Sequence, residues 1–95
     1  MTKDYLDQRA SLCMLIKLID ENNGSIDINT DKVKRAFNDT NDIVKLEYAD
    51  GTIGLAVDAD YKTLDDANKK WIENNSEKFR EIMFEHFREM ANNEA

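Results

Sequence analysis

Two different spacings of apolar residues run through this chain, and the places where one gives way to the other divide it into elements. From about Asp4 to Asn22 the spacing is helical, and the middle, Leu12-Cys13-Met14-Leu15-Ile16-Lys17-Leu18-Ile19, is apolar on nearly every side. Such a helix is enclosed by neighbours, either as a central core helix or in the seam of a homodimer. Asn22-Asn23-Gly24 supplies its C-terminal stop. Ser25-Ile26-Asp27-Ile28 then alternates polar and apolar, which predicts a short half-buried strand. Asn29 or Thr30 is placed to cap a short helix over Asp31–Asn38, with Asp31 in the first turn and Val33, Ala36 and Phe37 as its buried stripe. Asn38-Asp39-Thr40-Asn41-Asp42 has the composition of a surface loop.

Asp50-Gly51 sits between two apolar-rich runs and favours a two-residue type I′ hairpin turn. Closing the loop there pairs Tyr48 with Ile53, Leu46 with Leu55 and Val44 with Val57, all on one face. The opposite face, Glu47 against Gly54 and Lys45 against Ala56, is left to solvent or a partner. Thr63-Leu64-Asp65-Asp66 has the form of a capping box, and a helical pattern follows to about Asn92. Its stripe is Leu64, Ala67, Trp71, Ile72, Phe79, Ile82, Met83, Phe87 and Met90. The stripe lapses at Asn74-Asn75-Ser76, so the segment is one long helix or two with a bend near Asn75, where Ser76 is placed to cap the second.

The class is therefore α+β, in the order helix, short strand, short helix, hairpin, long helix. That order resembles the outline of part of a winged helix-turn-helix. It lacks the further DNA-reading helix before the hairpin, because Asn38–Asp42 is too short to hold one.

The chain's 95 residues predict a single domain over 1–95 with a thin stability margin. Apolar residues at 41% are enough to build a core. Twenty acids against thirteen bases give a net charge of −7, which argues against non-specific attachment to nucleic acid or anionic membrane. One cysteine excludes an intrachain disulfide and fits a reducing, cytoplasmic setting. No apolar run approaches a membrane span, and Met1-Thr-Lys-Asp4 does not open a leader pattern.

No catalytic motif is present, and neither an enzyme nor a cofactor is expected. His86 and Cys13 are the sole histidine and cysteine, too few for a zinc site. Asp58-Ala-Asp60 begins like a calcium loop, but Lys62 and Lys69 occupy positions that need oxygen ligands. None of the three glycines, at 24, 51 and 54, forms a phosphate loop. Lys32, Lys34 and Arg35 form the one basic cluster able to touch phosphates, flanked by Asp31, Asp39 and Asp42.

The acidic pattern is more distinctive. Glu73, Glu77, Glu81, Glu85 and Glu89 recur every fourth residue. On a helix four residues advance about 6 Å and overshoot a full turn by about 40°, so these carboxylates line one slowly winding ridge. The pairs Lys69–Glu73, Glu77–Arg80, Lys78–Glu81 and Glu85–Arg88 are placed to offset part of the mutual repulsion. The leading expectation is a small acidic binding protein that meets a basic protein surface, one made for nucleic acid, through this ridge. In size, acidity and lack of catalytic residues the chain resembles the small inhibitors of phages and mobile elements, including anti-CRISPR and anti-restriction proteins. The resemblance is one of general character and rests on no aligned motif. The alternatives are a winged-helix-like regulator with Lys32, Lys34 and Arg35 on DNA, and an assembly protein with the last helix as a strut.

Overall fold

The computed structural model describes residues 3–94, and side chains over 6–91. The Met1-Thr2 start of the leader reading lies outside them. Helix α1 (Lys3–Glu21) leads into strands β1 (Ser25–Asp27), β2 (Val33–Asn38), β3 (Val44–Tyr48) and β4 (Ile53–Leu55), then a 3₁₀ turn over Ala56–Asp58. Helices α2 (Tyr61–Asn74) and α3 (Ser76–Glu94) follow. The strands form an antiparallel sheet in the order β1-β2-β3-β4. The α+β class, with its first helix, hairpin and C-terminal helical stretch in the expected order, is what the structure has.

α1 ends as its sequence requires. Asn23 and Gly24 take positive φ, and the Gly24 N–H reaches back to the Ile19 carbonyl at 2.9 Å. Its buried side, Leu15, Leu18 and Ile19, meets Ile26, Ile28, Val33, Ala36 and Leu46 from the sheet and Leu64, Ala67 and Trp71 from α2. The core thus lies between one sheet face and the two helices. Cys13, in the run that is apolar on nearly every side, is nevertheless exposed on α1.

The segment expected as a short helix, Asp31–Asn38, is a turn followed by β2. Thr30 behaves like a helix cap, its Oγ1 accepting the Val33 N–H at 2.8 Å and the Lys32 N–H at 3.3 Å. The chain then extends instead of coiling. A bulge at Lys34 explains the misleading pattern: the pairing steps from Val33↔Tyr48 to Arg35↔Glu47, so one extra residue is accommodated. Lys34 and Arg35 both face outward, and Val33 and Ala36, three apart, both face the core. A bulged strand has imitated helical spacing. With that segment a strand, the winged-helix likeness keeps only its first helix, strand and hairpin.

The hairpin forms at the expected place with a register one residue away from the expected one. Tyr48 and Thr52 close a three-residue loop, Ala49-Asp50-Gly51, through Tyr48 N–H to the Thr52 carbonyl at 2.8 Å. Asp50 Oδ1 accepts both the Thr52 N–H at 3.0 Å and its hydroxyl at 2.7 Å, which favours this loop over a two-residue turn. Leu46 consequently faces Gly54, and the Tyr48 ring spreads over the space where a Gly54 side chain would stand. One step of register reverses every β4 side chain. Ile53 and Leu55, expected in the core with Val57, instead stand on the outer face, and all three are exposed. Gly51 keeps positive φ at 90° in either register. Gly51→Val should therefore lower stability by more than about 1 kcal/mol, read as a reduced urea midpoint. An unchanged midpoint would contradict this turn.

Candidate functional site

The stretch from Tyr61 to Glu94 is two helices, and Asn75 is the joint. Its side-chain amide donates to the Trp71 carbonyl at 2.9 Å, and its N–H donates to the Ile72 carbonyl at 3.2 Å, which ends α2. Its own carbonyl accepts the Phe79 N–H at 2.9 Å, which begins α3. Asn75, not Ser76, makes the junction. At the other end of α2 the cap is Asp60 rather than Thr63, its Oδ1 accepting the Thr63 N–H at 2.8 Å.

The break divides the glutamate ridge. Glu73 stays on α2, where it borders a cleft of about 480 Å³ beside Lys32 and Lys70. Glu77, Glu81, Glu85 and Glu89 lie on α3 and are all exposed. None of the four offsetting pairs forms among the described residues, and Lys69 meets Asp65 at 2.9 Å instead. From α1, Lys17 feels the charge of the ridge. Its 3.0 Å bridge to Glu21, with a smaller contribution from Glu89, holds its ammonium above the ordinary lysine value. The ridge therefore presents four carboxylates about 6 Å apart with no ion-pair partner among the described residues.

α3 is held at its start and open along the rest. Ile82 is buried, and Phe79 and Met83 pack partly against the core. Beyond them Phe84, Phe87 and Met90 are 69%, 63% and 47% exposed. The stripe reading placed Phe87 and Met90 inside, but the core ends near Ile82 and has nothing to cover them. Phe84 was the available signal: it falls outside the core-facing stripe, and an aromatic there has no place in a solvated face. His86 is exposed beside Phe87, with ring centroids 5.9 Å apart.

The basic cluster is dispersed and engaged. Lys32 reaches across to α2 and donates to Thr63 Oγ1 at 3.0 Å. Arg35 meets Glu47 at 2.6 Å, with its guanidinium 4.3 Å from the Phe37 ring centroid, and Lys34 meets the other Glu47 oxygen at 3.6 Å. These three cations share no helix face, and each is already turned to a partner within the chain. The cleft near Lys32 combines lysines with Asp31, Asp60, Asp66 and Glu73, so its charges balance. No group of histidine, cysteine, aspartate or glutamate among the described residues is arranged to hold a metal ion. None of the described helices is long and apolar enough to cross a membrane.

Several carboxyls away from the ridge are held below their ordinary values. Thr63 does this for Asp60 through its hydroxyl and N–H, Arg35 for Glu47, Thr52 for Asp50, and the Ile43 and Asn41 N–H groups with Lys45 for Asp39. A carboxyl that titrates lower when folded adds stability above the unfolded value, near 4, and loses it as pH falls through the folded value. Stability should therefore fall as the pH drops below about 4, followed by urea midpoints. Asparagine still caps the helix but carries no charge, so Asp60→Asn should lower the neutral-pH midpoint modestly, lose part of the acid slope and converge on the parent in acid. An identical acid profile in that variant would remove Asp60 from the explanation.

No protein-family model matches this chain, and no curated protein or solved structure matches it either.

Proposed function

We propose that this chain is a small binding protein without catalytic activity that contacts a basic surface of another protein through the α3 ridge. The observation that carries the reading is that Glu77, Glu81, Glu85 and Glu89 are exposed and, among the described residues, enter no ion pair. Like charges at this spacing oppose one another by about 0.2–0.5 kcal/mol per successive pair at low salt. The ridge is a small liability for the isolated helix and a favourable feature against cations. Its charges form a regular anionic line, advancing about 6 Å along the axis per glutamate, as phosphates do at about 3.4 Å each along one nucleic-acid strand. The fitting surface is thus one that otherwise holds DNA or RNA, and the chain acts as a competitor of nucleic acid. An inhibitor of the kind that phages and mobile elements direct at restriction or CRISPR systems has this chemistry.

The test is a competition. A labelled DNA duplex is first bound to a lysine- and arginine-rich peptide, and the protein is then added at low salt. Release of the duplex, with no mobility shift of duplex by the protein alone, is the expected result. Failure to release the duplex at large excess, or a direct shift by the protein, would overturn the reading.

A further inference from the structure

We infer that Phe84 and Phe87 are anchor residues, and that the partner of α3 is a protein groove with an apolar floor and a cationic rim. The inference rests on the binding role of the ridge and adds the second half of the contact. Phe84 and Phe87 are the most exposed large apolar side chains among the described residues. They lie three apart in the sequence and so share one side of the helix, one turn from each other. Glu81 is three residues before Phe84 and Glu77 seven before it, so these two carboxylates border the aromatic pair at its N-terminal end, while Glu85 and Glu89 wind away from it. An extended chain of phosphate sites needs only the carboxylates. Two uncovered phenylalanines beside them call for a floor that removes the rings from water, as interface anchors do.

Charge selects the occupant. A second copy would set one α3 ridge near another on a chain of net charge −7, which opposes self-pairing through this face. An anionic lipid surface is disfavoured for the same reason. A groove rimmed by lysine and arginine satisfies both halves of the face, with the rings below and Glu77 and Glu81 on the rim.

Two labelled helical peptides of equal positive charge, each about 18 residues or five turns long, serve as probes. One has leucines opposite its lysines, and the other has uncharged polar residues there. Fluorescence anisotropy should show the parent binding the leucine-lysine peptide about tenfold more tightly than the polar one. Phe84→Ser combined with Phe87→Ser should erase that preference and leave binding of the polar peptide unchanged. Both positions are exposed, so the variant should keep the parent's urea midpoint. Equal affinity of the parent for the two peptides, or an undiminished preference in the double variant, would overturn the anchors while leaving the charge reading in place. Binding of neither peptide would overturn the charge reading itself and the anchors with it. Sedimentation of the parent as a dimer that the double variant converts to monomer would also overturn the inference, by assigning the face to a second copy.

Discussion

Trp71→Ala should cost about 3–5 kcal/mol, the largest loss expected from any single truncation in this chain. Trp71 is 3% exposed on α2, at the level where that helix packs on α1 and the sheet, and its carbonyl receives the Asn75 amide that ends α2. Removing the indole leaves a cavity bounded by secondary structure on several sides, and such a cavity closes poorly. Small domains have total stabilities of about 5–15 kcal/mol, so the variant should be partly unfolded at room temperature or show a much lower urea midpoint. Phe79→Ala should cost less, because that ring is only partly buried against the core. Phe84→Ala should leave the midpoint almost unchanged. Equal losses at Trp71 and Phe84 would contradict the boundary drawn here, with the core ending near Ile82 and the rest of α3 open.

The sequence-structure relation is uneven in an instructive way. α1, its Asn-Asn-Gly stop, β1 and the place of the Asp50-Gly51 turn are legible because each is set by neighbouring residues, whereas near Asn75 the sequence leaves one helix and two equally open. β2 is not, because a bulge is decided by the partner strand, and Val33, Ala36 and Phe37 fit a helix stripe equally well when read alone. The hairpin register also depends on more than the Asp-Gly pair. The Asp50–Thr52 hydrogen bonds and the Tyr48 ring over Gly54 move it by one residue, and that step exposes Ile53 and Leu55. The position of the ridge was legible from spacing alone. Its separation from Glu73 and the exposure of Phe87 were not, since both depend on where the core stops. The basic cluster falls in the segment whose spacing predicts a helix, whereas the bulge turns Lys34 and Arg35 toward Glu47 and the preceding turn sends Lys32 toward Thr63.

The central claim is that the positions of the α3 carboxylates, rather than the net charge alone, make the binding face. Reversing Glu77, Glu81 and Glu85 to lysine together should nearly abolish binding to a cationic partner. Folding should survive, because all three positions are exposed, repulsion among them is exchanged for repulsion of the other sign, and their pairings with Glu73 and Glu89 become attractive. A control with the same change of charge is Asp27→Lys, Asp31→Lys and Asp66→Lys, three exposed positions away from α3. Opposed charges act mainly on the rate of association, and screening shortens their reach to about 10 Å at 0.1 M salt. The decisive measurement is the association rate of parent, ridge variant and control on a captured lysine- and arginine-rich peptide, at low and at moderate salt. The ridge variant should associate about tenfold or more slowly than the parent at low salt, with the control much closer to the parent and the parent slowing as salt rises. Equal association rates for the ridge variant and the control would contradict the claim, reducing the ridge to an ordinary solvated helix face.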